Sequence, residues 1–200
     1  MGAMILAAIH PDIMRRGWAF LMAPNPASFT GSTMEEARAA NAAIPFAEGR
    51  PAPAKPFVFH GTPAAREQAA QCLATAALYE AGDDPRGQRA VMQVVLNRVR
   101  RPAFPKTICG VVYQGAARTT GCQFSFTCDG SMHRRPERSG WAAARKNARQ
   151  ALAGYVFRPV GTATHYHADW IVPYWIGSLD KIAKVRTHIF YRERRTAGPS

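Results

Sequence analysis

Apolar residues recur at helical spacing in several stretches that follow residue 61. The first two stretches open on a capping residue followed by proline, a signal typical of a helix start. The long stretches close at a glycine or just before a proline, as helices commonly do. The predicted helices span residues 63–81, 85–100, 107–114 and 137–153.

The segments between and after these helices have a different composition. Residues 121–130 and 161–177 are rich in threonine, aromatic residues and glycine, which predicts short strands and ordered loops. A brief helix is predicted near residues 178–185, followed by an extended segment over 187–191. Because helices dominate, the fold class is α+β with a small strand and loop region.

Residues 1–61 show no sustained periodicity and contain seven prolines. They predict a poorly structured extension, with one short helix over residues 33–42 and a linker of polyproline character over 47–56. The folded domain is therefore placed at residues 62–194, and residues 195–200 form a tail.

The chain is strongly basic, with 26 Lys+Arg against 13 Asp+Glu and a net charge of +13 over 200 residues. Such a surface attracts polyanions, including nucleic acid, anionic lipid and the acidic polymers of a bacterial wall. The basic residues are spread along the chain, which argues against a DNA-recognition helix. No stretch approaches the roughly 20 apolar residues of a membrane span, and no clear signal peptide is visible.

The four cysteines contain no CxxC pair, which disfavours a zinc ribbon. Their even number favours two disulfides and an oxidising compartment over four reduced thiols. Four cysteines allow three pairings, of which we predict Cys72–Cys109 with Cys122–Cys128.

Glu80 is the residue best suited to catalysis. In the first predicted helix it shares one face with Ala69, Leu73 and Ala76, so its carboxyl continues an apolar stripe in the last turn. Partial burial and the negative end of the helix dipole both raise the pKa of such a carboxyl, toward the range of a general acid near neutral pH. The competing interpretation is a structural glutamate at a frayed helix end.

The segment 121–130 combines polar groups with aromatic rings, as sugar-binding surfaces do. Its candidate substrate-binding residues are Gln123, Phe124, Ser125 and Asp129. The alternative is an ordinary hairpin with Phe124 in the core.

A second segment offers His165, Tyr166, His167 and Trp170 as candidate substrate-binding residues. In an extended chain His165 and His167 face the same side, and such a pair can bind zinc. No third ligand stands nearby, so a role in lining a cleft is favoured and no metal is expected. Plain core packing is the alternative for the aromatic rings. Because a long polymer needs a groove, we expect Gln123, Ser125, Asp129, Tyr166 and His167 to line one beside Glu80.

The motifs now form an ordered set that resembles the cell-wall hydrolase family of the spore-cortex-lytic enzymes. The resemblance covers roughly residues 66–192. It rests on Tyr79-Glu80-Ala81, Asp84-Pro85, Gly87-Gln88, the run Val94–Val99 (VVLNRV), the run 104–114 (FPKTICGVVYQ), Gln123-Phe124-Ser125, the run 164–168 (THYHA) and the run 188–192 (HIFYR).

This resemblance implies a helix-dominated, lysozyme-like α+β domain with Glu80 as acid/base. It also implies cleavage between N-acetylmuramic acid and N-acetylglucosamine, and well-studied members act as lytic transglycosylases. The family usually reads Glu-Ala-Arg-Gly-Glu where this chain has Glu80-Ala81-Gly82-Asp83-Asp84, so the arginine is lost and the second glutamate becomes Asp84. We expect Asp84 to cap the following helix and Asp83 to be solvated.

The sequence thus predicts a peptidoglycan-cleaving enzyme of the lytic transglycosylase or muramidase type. It is expected to need no cofactor, to act as a monomer and to bind glycan strands rather than nucleic acid. Its expected location is the cell envelope, the periplasm or the exterior. The alternatives are a non-catalytic basic wall-binding protein and a nucleic-acid-binding protein, the latter requiring an affinity that falls steeply with salt.

Overall fold

The computed structural model describes residues 33–118, 121–133 and 138–194, which form five α-helices and a three-stranded sheet. The helices are α1 (Met34–Ala43), α2 (Pro63–Ala81), α3 (Pro85–Val99), α4 (Ile108–Val112) and α5 (Arg138–Leu152). The strands are β1 (His165–Ala168), β2 (Leu179–Val185) and β3 (His188–Glu193). In this described part of the chain no helix is long and apolar enough to cross a membrane.

Helix α2 is the centre of the helical layer and packs against α3, α4 and α5. It begins where the Thr62 hydroxyl accepts the Ala65 N–H, and it ends at Gly82, whose φ of 53° favours glycine. Its buried face is mostly alanine, which lets the neighbouring helices approach closely. The predicted α+β class and four of the five helices predicted after residue 61 are confirmed, with ends shifted by up to two residues.

The sheet is antiparallel, with the strand order β1-β3-β2. Strands β2 and β3 form a hairpin that turns at Arg186 and Thr187, where Arg186 adopts a φ of 55°. One face of the sheet packs on α3, with Phe190 and Val185 against its apolar side chains. The sheet therefore closes the open side of the helical layer.

The prediction of a brief helix near residues 178–185 is wrong, because residues 179–185 form strand β2. A register shift between Lys181 and Ala183 leaves the consecutive residues Lys181 and Ile182 both buried. This irregularity breaks the two-residue alternation by which strands are recognised in a sequence. Residues 121–130 contain no strand either, and their ordered centre is the 3₁₀ turn Ser125–Thr127.

Within residues 33–61 the structure contains helix α1, which confirms the short helix predicted over residues 33–42. Helix α1 begins with a capping box formed by Thr33 and Glu36. The buried Asn41 side chain donates to the Asp169 and Ile171 carbonyls at 2.7 and 2.9 Å. We call residues 33–59 the N-terminal strap, because they run across the domain surface. Residues 1–32 and 195–200 lie outside the described residues.

The extended part of the strap is fixed by backbone contacts. The N–H of Phe59 donates to Leu152, the last residue of α5, and Val58 forms a β-bridge with Ala153. Directly after α3, the Arg100 guanidinium donates to the carbonyls of Lys55 and Pro56. The strap is thus ordered by partners far away in sequence.

Both predicted disulfides are present. Cys72–Cys109 joins α2 to α4, and Cys122–Cys128 closes a short loop in front of the 3₁₀ turn Ser131–His133. None of the four cysteines is free.

Candidate active site

Glu80 lies in the last turn of α2, where the helical layer meets the sheet. Its side chain is partly buried, and its Oε2 atom accepts a hydrogen bond of 2.9 Å from the Tyr166 hydroxyl. Tyr166 is on β1, 86 residues further along the chain. Helix α2 supplies the carboxyl and the sheet supplies its donor.

The Tyr166 ring is held on three sides by other rings. It stacks on Phe190 of β3 with centroids 5.6 Å apart, and it meets the edge of His188 at 5.4 Å. Phe124 lies on a third side at 6.5 Å. This packing fixes the phenol without using its hydroxyl, which remains directed at Glu80.

Burial raises the pKa of Glu80 above its usual value, because the carboxylate is removed from water. The hydrogen bond from Tyr166 and the positive charge of Arg98 oppose this effect, while the negative charge of Asp129 adds to it. Burial and the charge of Glu80 raise the pKa of Tyr166 well above its usual value, so Tyr166 stays a neutral donor. Burial thus favours the protonated form of Glu80, while Tyr166 and Arg98 stabilise the carboxylate once the proton is lost.

An open groove of about 460 Å³ begins at Glu80. Its walls come from the α2–α3 junction and from the β2–β3 turn. The lining residues are Glu80, Ala81, Asp83, Asp84, Pro85, Arg186, Thr187 and His188. The groove is open to solvent.

The two aspartates in the groove differ in their contacts. Asp84 accepts the backbone N–H groups of Arg86 and Gly87, both at 3.1 Å, and so caps α3 as predicted. Its Oδ2 also lies 3.7 Å from the Arg186 guanidinium across the groove. Asp83 is exposed. Neither aspartate is buried as Glu80 is.

The segment 121–130 lies beside Glu80, as predicted. Phe126 stacks on Tyr79, the residue before Glu80, with centroids 4.6 Å apart and planes 7° from parallel. Asp129 is exposed but close enough for its charge to raise the pKa of Glu80, and its carboxylate accepts the Ser131 N–H.

The other candidates of this segment have different surroundings. Phe124 is 2% exposed and belongs to the core, in agreement with the packing alternative. Ser125 is exposed and Gln123 is partly buried, its N–H donating to Gln114. They are available to a ligand near the groove, but neither is among its lining residues.

The other predicted groove residues, Asp129, Tyr166 and His167, are also absent from the lining, although Tyr166 contacts Glu80 directly. His165, the second histidine of β1, is absent from it as well. Successive strand residues face opposite sides of a sheet, so the two histidines turn away from Glu80. They face the same side, as predicted, and both rings contact Trp175. A hydrogen bond of 3.0 Å joins the His167 Nε2 atom to the Tyr191 hydroxyl. Their substrate-binding role stays a prediction, and their position outside the groove does not support it.

Trp170 also lies outside the groove, with the Arg38 guanidinium of α1 at 5.9 Å over its ring. Within the described residues no group of three or more His, Cys, Asp and Glu side chains could hold a metal ion.

Sequence reasoning missed Arg98 and the groove residues of the β2–β3 turn. Arg98 is a single charged residue within the apolar run of α3, and this placement is a signal that could have identified it. The turn residues Arg186, Thr187 and His188 carried no such signal, because only the hairpin brings them to Glu80. Their position depends on β2, which the sequence pattern concealed.

Comparison with known proteins gives consistent results. A family model described as cell wall hydrolase matches residues 82–191, a range that begins just after Glu80. The chain is 34% identical over 122 residues to the spore cortex-lytic enzyme of Halalkalibacterium halodurans and 33% identical over 122 residues to that of Bacillus cereus. These alignments cover 60% of this chain but only 33% and 42% of the relatives.

Two solved structures share the fold. The catalytic domain of the Bacillus cereus SleB protein matches with a TM-score of 0.51 and 30% identity, covering 68% of this chain and 95% of that one. The catalytic domain of the germination-specific lytic transglycosylase SleB from Bacillus anthracis matches with a TM-score of 0.50 and 30% identity, covering 68% and 100%. The motifs, the fold and the matched family model agree, and the chain belongs to the cell wall hydrolase family.

Proposed function

We propose that this domain cleaves the glycan strands of peptidoglycan between N-acetylmuramic acid and N-acetylglucosamine, with Glu80 as the general acid and then the general base. The observation that carries the proposal is the Glu80 carboxyl itself. It is partly buried, it accepts one hydrogen bond from the Tyr166 hydroxyl, and it lines a groove that is open to solvent. The named activities of the relatives, spore cortex lysis and lytic transglycosylation, support this assignment.

The first step would be proton transfer from Glu80 to the glycosidic oxygen. The bond between C1 of the muramic residue and that oxygen then breaks, and the bonding electrons leave with the protonated oxygen. Burial favours the protonated form of Glu80 that this step requires. Tyr166 orients the carboxyl from the side opposite to solvent.

The second step would use Glu80 as a carboxylate. It takes the proton from the C6 hydroxyl of the muramic residue, and the C6 oxygen attacks C1 to form a 1,6-anhydro ring. No water is consumed, and Glu80 returns to its protonated state. Because the nucleophile belongs to the substrate, this route needs no second catalytic carboxylate.

The groove favours this route over simple hydrolysis. Glycosidases that use water or a covalent intermediate generally employ two carboxyl groups. Here Asp84 caps α3 and Asp129 accepts the Ser131 N–H, while Asp83 is exposed, so none of the three is buried as Glu80 is. Hydrolysis with Asp84 or Asp129 orienting water is the competing reaction.

We also propose that the enzyme acts outside the cytoplasm, on the wall itself. The two disulfides support this, since such bonds persist in oxidising compartments. The positive charge of the chain suits an anionic polymer as partner.

The deciding experiment is mass spectrometry of muropeptides released from purified sacculi. The wild-type protein should release products with 1,6-anhydro ends. Glu80→Gln should retain the fold and lose at least roughly 10²-fold of the rate, the scale of general acid–base catalysis. Glu67→Gln is the matched control, because Glu67 is on the same helix and forms only a surface ion pair with Arg149.

Digestion that yields only reducing ends would replace the transglycosylase mechanism with hydrolysis. A Glu80→Gln enzyme with near-normal activity would overturn the assignment of Glu80. Wall binding without release of any product, by the wild-type chain, would favour a binding protein instead.

A further inference from the structure

Arg98 is the most deeply placed charge near Glu80. It is 3% exposed, on α3, and its Nε–H donates to the Thr164 carbonyl at 2.6 Å. Its guanidinium lies between the rings of Phe104 and Phe124, at 5.4 and 5.6 Å from their centroids. The cation is thus held in an apolar slot directly behind the start of β1.

This slot leaves the charge poorly compensated. In the described part of the chain no carboxylate forms an ion pair with Arg98, and its buried Nη1 has no hydrogen-bond partner there. Burying a cation costs free energy unless a nearby negative charge compensates it. The negative charge that reaches Arg98 is that of the Glu80 carboxylate, to which the neutral Tyr166 hydroxyl donates.

We propose that Arg98 is a positioning residue that acts as the electrostatic partner of Glu80 in its carboxylate state. Through the carbonyl of Thr164 it also fixes the backbone two residues before Tyr166, the direct donor to Glu80. When Glu80 gives up its proton, the fixed positive charge of Arg98 stabilises the carboxylate without contacting the substrate. This inference rests on the proposed function for its catalytic meaning, but the electrostatic coupling is a property of the folded protein.

Other charged and titratable groups also face Glu80. Tyr166 contacts it from β1 and Asp129 acts from the loop before α5. The groove wall adds Asp83, Asp84, Arg186 and His188. Arg186 and the aspartates are solvated or paired with each other, so their fields at Glu80 are screened. Arg98 is the cation whose field is not weakened by water.

The test is a titration of the Glu80 side-chain carboxyl by ¹³C NMR in the full chain, with Glu80→Gln identifying its resonance. Arg98→Met removes the charge and keeps much of the volume, and should raise the titration midpoint by at least about half a pH unit, below the 1–3 units of a contacting charge. Arg98→Lys keeps the charge and should leave the midpoint near that of the wild type.

The matched control is Arg89→Met. Arg89 is also on α3, bonds Asn147 through its Nε and lies 5.4 Å over the ring of Tyr155, but it faces away from Glu80. The proposal is overturned if Arg98→Met titrates like the wild type or if Arg89→Met shifts the midpoint equally.

If Arg98→Met fails to fold, the double variant with Glu80→Gln decides. Recovery of the fold in the double variant supports the pairing, because the Glu80 carboxylate that lacked a compensating positive charge has been removed. If both variants fail to fold, the role of Arg98 is structural alone. The titration requires no turnover. An inactive wild-type protein would therefore refute the proposed function, while the titration would still test whether Arg98 stabilises the Glu80 carboxylate.

Discussion

Replacing Tyr166 by phenylalanine isolates the hydrogen bond that Glu80 receives. The ring would keep its stack on Phe190 and its edge contact with His188, so only the 2.9 Å bond to Glu80 is lost. A hydrogen bond to a charged group contributes about 1.5–3 kcal/mol. In Tyr166→Phe both the carboxylate and the protonated carboxyl of Glu80 lose this bond. We take about 1.4 kcal/mol as the amount by which the carboxylate is destabilised more than the protonated form, which is roughly one pKa unit.

The direction of the shift follows from the role of the bond. The Tyr166 hydroxyl lowers the pKa of Glu80 against the larger effect of burial, so its removal raises that pKa further. An acid catalyst is active while protonated, and its activity declines as the pH rises through its pKa. The alkaline limb of the pH–rate profile should therefore move up by about one unit in Tyr166→Phe. The maximal rate should fall roughly tenfold, since the same 1.4 kcal/mol no longer orients the acid.

The assay is the loss of turbidity of purified sacculi, followed from pH 4 to pH 10 for wild type and variant. Tyr191→Phe is the matched control, because Tyr191 is in the same sheet and its hydroxyl makes a 3.0 Å hydrogen bond with His167 on the opposite face. Tyr191→Phe should be less stable than the wild type, but the alkaline limb of its pH–rate profile should stay at the wild-type pH. A downward shift in Tyr166→Phe, or equal shifts in both variants, would refute the reasoning.

Three further predictions concern the scaffold. Replacing Cys72 and Cys109 by alanine opens a loop of 37 residues and should reduce the free energy of unfolding by about 4 kcal/mol, measured by denaturant titration of oxidised wild type and variant. Burial lowers the pKa of His165 to about 4, so stability should fall as the pH drops from about 6.5 toward 4, less steeply in His165→Gln, as thermal melting would show. Lys181→Met leaves the carbonyls of Asn41 and Ile44 without their donor and should destabilise the fold by about 2–4 kcal/mol, with faster proteolysis of the strap.

The long helices could be predicted because their signals are local. The cap at Thr62, the proline at position 63 and the glycine at position 82 lie within the sequence they delimit. The interior of α2 is apolar over consecutive turns, so its burial could be expected without knowledge of its partners. The same holds for Asp84, which caps α3 through its nearest backbone neighbours.

The short helix of the strap could be predicted, but its docking on the domain could not, because the docking depends on distant contacts. Asn41 bonds residues 128 and 130 positions away, and Lys181 reaches back 140 residues to the Asn41 carbonyl. Proline content in this segment predicted a linker of polyproline character, and the extended backbone that proline favours is held against α5. The proline-rich composition of the strap thus indicated its extended backbone correctly, but it carried no information about the residues that the strap contacts.

The candidate site was predictable in part, and the missing part has a geometric cause. The run His165-Tyr166-His167 contains three polar rings, and sequence alone treats them as one lining surface. In a strand the middle ring and its neighbours face opposite sides, so one side of β1 supplies the donor to Glu80 while the other packs on Trp175. A groove lined by all three would have placed two titrating imidazoles beside the acid, and their charge would have changed with pH near neutrality. With these two histidines turned away, the pKa of Glu80 depends on burial, on the phenol of Tyr166, on the guanidinium of Arg98 and on the charge of Asp129. The alternation of the four-residue strand β1 thus keeps His165 and His167 away from Glu80, whereas His188 of β3 lines the groove with it.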